Sequence, residues 1–276
     1  MNIKTIFIPT DFSTSSDNAA VYACAMAANT GAKILLYHAY HIPVTSAEVP
    51  VMIVSTEELE KNNMDRLKQY RKELIHKTGT KLTIDCFTTP GFAVEEIEEL
   101  CEEKKPDLVV MGVSGHGQVG HALLGSVTTG VLNHIQVPLL IIPEKAVFKG
   151  ISNLALAYDY HGDLPEGTIA LLKGFINLFK ANLQVVHIGP PSEKTDLKEA
   201  VSGISLEDSI AGVKHTLHFP ENKDIIEGLT EFEEKQRPDL LVMIPKKHSL
   251  LSRIFHGSVS KRMAFHTHIP ILALHA

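Results

Sequence analysis

A seven-residue phrase that occurs twice constrains this chain more than any other feature. Lys105–Met111 reads KPDLVVM, and Arg237–Met243, 132 residues later, reads RPDLLVM. The same offset carries Gly125-Ser126-Val127 onto Gly257-Ser258-Val259, and Val137-Pro138 onto Ile269-Pro270. Repetition of this kind marks a duplicated structural unit. Upstream, Asp11 matches Asp159 at an offset of 148 and His38 matches His187 at 149, so the second copy is 17 residues shorter between these landmarks. What it lacks is most of the loop and helix around residues 41–76. The region Glu193–Ile210 leaves room for a shorter helix.

The first copy alternates strands and helices. Ile3–Ile8 and Ile34–Ala39 are apolar runs without alternation, expected of parallel strands covered on both faces. Between them, Ser13–Ser16 offer helix caps, and Ala19, Ala20, Ala23 and Ala27 form a small-residue face that can lie close on a sheet; Gly31 closes that helix. A polar helix from Thr56 to His76 and an alternating, edge-like strand from Leu82 to Phe87 follow. In the next helix, Phe92–Glu103, Ala93, Ile97, Leu100 and Cys101 share one face, and six glutamates give the others a solvated surface. The order βαβαβαβαβ predicts an α/β fold with a parallel sheet and right-handed crossovers, a doubly wound domain. Two such domains are expected, 1–145 and 151–276, joined by a short polar connection.

The stretch Pro106–Pro143 carries the chemistry. Leu108–Met111 is a buried strand that stops at Gly112, and glycines follow at 115, 117, 120 and 125. Val127, Val131 and Ile135 then give a helical stripe, which puts Ser126 at the N-cap. A helix start has unpaired N–H groups and a positive dipole end, so with glycines before it and the Ser126 and Thr128 hydroxyls on it, this is a phosphate cradle. A βα loop whose glycines only make turns is the plainer alternative. No Gly-Lys-Ser/Thr follows, which excludes a Walker A loop, and the GxGxxG match at Gly115–Gly120 begins beyond the strand and precedes no immediate helix start. Asp11, at the end of the first strand, reads either as a ligand contact or as a cap for the following helix.

Gly112-x2-Gly115-x9-Gly125-Ser126, with the strand ending at Met111 before it and Val127-Thr128 after it, resembles the ATP-binding signature of universal stress proteins. With the internal repeat, the resemblance covers nearly the whole chain, as a tandem pair of such domains. It implies two five-stranded parallel sheets of order 3-2-1-4-5, like that of the adenine nucleotide alpha hydrolases. It also implies an ATP site, or one for ADP or AMP, at Pro9, Thr10, Asp11, Ala39, Met111, Gly112, Gly115, Gly125, Ser126, Val127 and Thr128. Asp11 and the backbone at Ala39 would then meet the adenosine, Gly112 and Gly115 the ribose and first phosphates, and Gly125–Thr128 the outer phosphates. Any Mg would be held by the phosphates. Family members associate through their last strand, so Val137–Ile142 and Ile269–Leu274 are expected to join the halves as an intramolecular pseudo-dimer, with a homodimer as a further step.

No catalytic set accompanies this pattern. His116 and His121 lie in the glycine-rich loop, but no lysine or arginine is placed there to stabilise a leaving phosphate, so the expectation is a binding protein and at most a slow ATPase. Pro9-Thr10-Asp11-Phe12-Ser13 also lacks the Ser-Gly-Gly-x-Asp-Ser loop of the ATP pyrophosphatases. A nucleotide-independent interaction module stays open beside these readings. In the second copy Ile244 and Lys247 replace Gly112 and Gly115, and Arg253, Ile254 and Phe255 crowd the loop, so that half is expected to be degenerate, with side chains filling the phosphate space. The His266-x-His268 pair there is read as chance, not zinc.

Composition narrows the function further. A net charge of −6 disfavours general attraction to nucleic acid or anionic membrane. No signal peptide and no apolar run of about 18 residues is present, which makes a cytoplasmic protein the expectation. Cys24, Cys86 and Cys101, an odd number at unrelated spacings, form neither a disulfide framework nor a metal set.

Overall fold

In the computed structural model, the residues described are 2–42, 55–113, 125–158, 164–189, 206, 208–244 and 268–275. The first half runs β1 (Thr5–Pro9), α1 (Thr14–Thr30), β2 (Lys33–Tyr40), α2 (Thr56–Thr78), β3 (Ile84–Pro90), α3 (Ala93–Lys104), β4 (Leu108–Gly112), α4 (Ser126–His134) and β5 (Leu139–Ile142). The second runs β6 (Asn153–Ala157), α5 (Glu166–Phe179), β7 (Asn182–Val186), β8 (His215–His218), α6 (Ile225–Gln236), β9 (Leu240–Met243) and β10 (Ile271–Ala273). Most of the expected Glu193–Ile210 helix lies outside the described residues.

The described strands form one sheet in the order β3-β2-β1-β4-β5-β10-β9-β6-β7-β8. Each half is parallel with the expected order, and the halves meet where β10 runs antiparallel to β5, Leu272 opposite Leu140. The last strands are edges only within their own halves; pairing with each other removes the open edge.

Strand alternation sends Ile6, Ile8, Leu108 and Val110 into a layer with α1, α2 and α5, and Phe7, Val109 and Met111 into a layer with α3, α4 and α6. Both layers continue across the β5–β10 seam. Ala19, Ala20, Ala23 and Ala27 are buried against the sheet, and Gly31 closes α1 in the left-handed conformation, φ 76°.

The repeated Pro-Asp has a repeated job. Asp107 Oδ2 accepts from the backbone N–H groups of Lys4 (2.8 Å) and Thr5 (2.9 Å), tying the entry of β4 to the entry of β1. Asp239 Oδ2 does the same for Ser152 (2.8 Å) and Asn153 (2.9 Å). Two charge-assisted bonds at each site set the register of the central strands.

Candidate functional site

β1 pairs with β2 on one side and β4 on the other, Ile6 opposite Leu108. Connections therefore leave these neighbours in opposite directions, and a crevice opens beyond their carboxyl ends, the place where doubly wound sheets hold ligands. A cavity of about 280 Å³ lies there. Pro9 at the end of β1 with Thr10 and Asp11 just after it, Ala39 from β2, Met111 and Gly112 from β4, and Ser126, Val127 and Thr128 from α4 all line it. Gly125 stands beside it as the N-cap of α4, and Gly115, with His116 and His121, lies outside the described residues.

Sequence reasoning did not place Ser15, Ser16, Tyr37, Ala93 and Ile97 in this wall. Tyr37 is opposite Pro9 in the β1–β2 register, so a register would have found it, whereas Ala93 and Ile97 required knowing which layer α3 joins. The Tyr37 hydroxyl meets Thr89 Oγ1 at 2.5 Å, and burial pushes its pKa up to about 12, so it acts as a neutral polar edge of an otherwise apolar wall.

α4 begins one residue earlier than expected. Gly125 is the cap, with φ −62° and ψ 155° and no side-chain cap bond, and Ser126 is the first helical residue, its side chain exposed. Thr129 N–H is the first to bond back, to Gly125 O at 2.9 Å, which leaves the N–H groups of residues 126–128 pointing out of the helix start. Thr128 is buried, and its hydroxyl donates to Gly112 O at 3.1 Å. That hydroxyl holds β4 to α4, so the Ser126 hydroxyl and the backbone are what the helix start offers a ligand.

Gly112 needs its missing side chain for a different reason from the one its position first implies. A Cβ there would fall 2.5 Å from Ser15 Oγ and closer still to Ser15 O. The first turn of α1 thus lies directly on the end of β4, and Ser15 Oγ donates to Val113 O. In the second half Ile244 is buried in the layer of Leu164, Leu172 and Phe175. Ile244 thus packs toward the helix layer, and the loop that follows it lies outside the described residues. α1 starts five residues after β1 ends, which seats Ser15 on the end of β4, whereas α5 starts nine residues after β6 ends. Asp159, Lys247, Arg253, Ile254, Phe255, Gly257, Ser258 and His266 lie outside the described residues.

Asp11 does not cap α1; Ser13 does, accepting from Ser16 N–H at 3.2 Å. Asp11 Oδ1 instead accepts from Ser13 N–H at 2.9 Å, leaving the rest of an exposed carboxylate at the cavity mouth. Burial raises its pKa, but the hydrogen bonds from Ser13 and Ser16 outweigh that and hold it below the usual value. His38 Nδ1 meets Thr10 O at 2.8 Å, as His187 Nδ1 meets Tyr158 O at 2.9 Å in the second half. Burial holds His38 below its ordinary pKa, so it braces the strand end as a neutral donor. Among the described residues no group of three His, Cys, Asp or Glu could hold a metal.

The family model for the universal stress protein family matches residues 2–143 and 179–275. A universal stress protein of Thermus aquaticus is 32% identical over 50% of this chain and 98% of its own length. One from Synechocystis is 22% identical over 98% of this chain and 99% of its own. Among solved structures, a universal stress protein from Archaeoglobus fulgidus superposes with a TM-score of 0.71 at 18% identity, over 100% of this chain and 99% of that one, a likeness of fold.

Proposed function

Given that this chain belongs to the universal stress protein family, we propose that its first half binds one adenine nucleotide, ATP or its ADP or AMP form, and that the chain acts as a nucleotide-dependent stress-response or regulatory protein. The observation that carries this reading is the two-sided cavity at the β1–β4 crevice. Its apolar wall of Ala39, Ala93, Ile97 and Met111 suits a base and sugar. Its other side presents the start of α4, where unpaired N–H groups and the Ser126 hydroxyl favour negative charge.

In this reading Asp11 accepts from the base amine or the ribose hydroxyls, and Ala39 offers its backbone to the base. Met111 and Gly112 back the ribose and first phosphate, with Gly115 beyond them, and Gly125, Ser126, Val127 and Thr128 form the outer-phosphate turn. When bound with Mg, the phosphates themselves hold the metal. The domains are 1–145, which binds, and 151–276, which pairs with it through β10 and takes no ATP in this manner. The protein works in the cytoplasm by binding; hydrolysis is at most slow, and a homodimer is a further assembly state.

The test is titration calorimetry of the full chain with ATP, ADP, AMP and GTP, for wild type and Ser126→Asp. One adenine nucleotide per chain, weakened in the variant, is the expected result. Two equivalents would sink the single-site assignment, and no binding would sink the reading.

A further inference from the structure

Phe12 sits between two residues of the cavity wall, Asp11 and Ser13, yet its ring turns away from the cavity. Its backbone is left-handed, φ 62°, which a residue with a bulky side chain adopts only when its surroundings hold it there. The ring is held on three sides. His38 lies 4.5 Å away between ring centroids, Tyr70 stands edge-on at 5.5 Å, and the Arg66 guanidinium lies 3.9 Å above the ring centre.

The backbone of the same turn is folded onto the wall residues. Phe12 N–H donates to Thr10 Oγ1 at 3.0 Å, and Ser13 N–H donates to Asp11 Oδ1 at 2.9 Å. Arg66 and Tyr70 belong to α2, which contributes no described residue to the cavity. A second, larger hollow of about 530 Å³ opens between α1 and α2, lined in part by Phe12, Arg66 and Tyr70. The ring therefore has somewhere to go if its cage is loosened.

From this arrangement we propose that Phe12 is a positioning residue for the Asp11 carboxylate, and that α2 tunes ligand affinity through it by way of Arg66 and Tyr70. The proposal rests on the nucleotide reading above. With the cage intact, residue 12 stays left-handed and Asp11 is presented to the ligand. Without it, residue 12 relaxes toward negative φ, the Thr10–Ser13 turn rotates, and the carboxylate leaves its place.

Dissociation constants for ATP, measured on the full chain, test this in a double-mutant cycle. Arg66 is exposed, so Arg66→Ala leaves the fold intact and is expected to weaken binding about two- to fivefold. Phe12→Ala is expected to cost about tenfold, and Phe12→Tyr to retain affinity. In an Asp11→Asn background both losses should largely vanish, because they act through that carboxylate; a merely structural effect would persist unchanged there. Wild-type affinity in Phe12→Ala and Arg66→Ala, or losses of equal size in the Asp11→Asn background, overturns the positioning role while leaving the nucleotide reading in place. No adenine-nucleotide binding by wild type overturns both.

Discussion

Ser15 occupies the space that a side chain on Gly112 would need, with its hydroxyl 2.5 Å from where a Cβ would stand. The glycine at the head of the ligand motif is thus required by the fold of its own half, through the seating of α1 on β4. Gly112→Val is therefore expected to destabilise the chain by about 1–3 kcal/mol, the usual cost of forcing extra atoms into a packed site. Denaturant unfolding without nucleotide checks this. Unchanged stability would return Gly112 to a role in ligand contact alone.

The start of α4 allows a cleaner test. Val127 is 38% exposed and sits in the first turn, where a carboxylate favours the helix dipole but repels a phosphate. Val127→Asp should keep or slightly raise the melting temperature while weakening ATP binding about tenfold or more, from like charges at close range. Undiminished affinity would place the phosphates elsewhere.

Leu272 and Leu140 face each other across the antiparallel seam, both fully buried in the layer shared by the two halves. Leu272→Ala should cost about 2–5 kcal/mol. Because the core is continuous, amide exchange in β5 as well as β10 is expected to speed up. Protection unchanged in β5 would mean that the halves unfold independently.

His38 is kept below its ordinary pKa by burial, so the unfolded chain binds its proton more readily than the folded one. Its contribution to stability is present above the unfolded value of about 6.5 and is lost as pH falls through the lower folded value. His275, shifted the same way by burial, adds to that slope. His38→Asn, which retains a donor near the Nδ1 position, should flatten the fall in stability below about pH 6.5. An identical slope in the variant would remove His38 from the account.

The paired aspartates make a matched prediction. Asp107→Ala and Asp239→Ala each strip an acceptor from two backbone N–H groups at a strand entry. Both sites are partly exposed, so about 1–2 kcal/mol is expected for each, and the two costs should add because the sites share no partner. Thermal or denaturant melting of the single and double variants reads this directly.

Much of the architecture was legible because it is written in short-range pattern. The unalternating runs at Ile34–Ala39 and Leu108–Met111, the alanine face of α1 and the duplicated Pro-Asp-Leu phrase each declare a layer or a repeat within a few residues. They were enough for a tandem doubly wound α/β fold, while the pairing of the last strands was implied by the family resemblance. The candidate site was half legible. Pro9–Asp11, Met111 and the Gly125–Thr128 turn lie at strand and helix ends that the pattern marks, whereas Tyr37, Ser15 and Ile97 enter the wall only through register and layer. A phenylalanine gives no local sign that it will be left-handed, and nothing near Gly112 in the chain announces Ser15. By itself, then, the sequence determined the elements, their order and their duplication, since periodicity and turn chemistry act over a few residues. Tertiary structure alone decided which side chains share the cavity and why Gly112 must be glycine, because those depend on contacts between residues far apart in the chain, about a hundred positions for Ser15 and Val113.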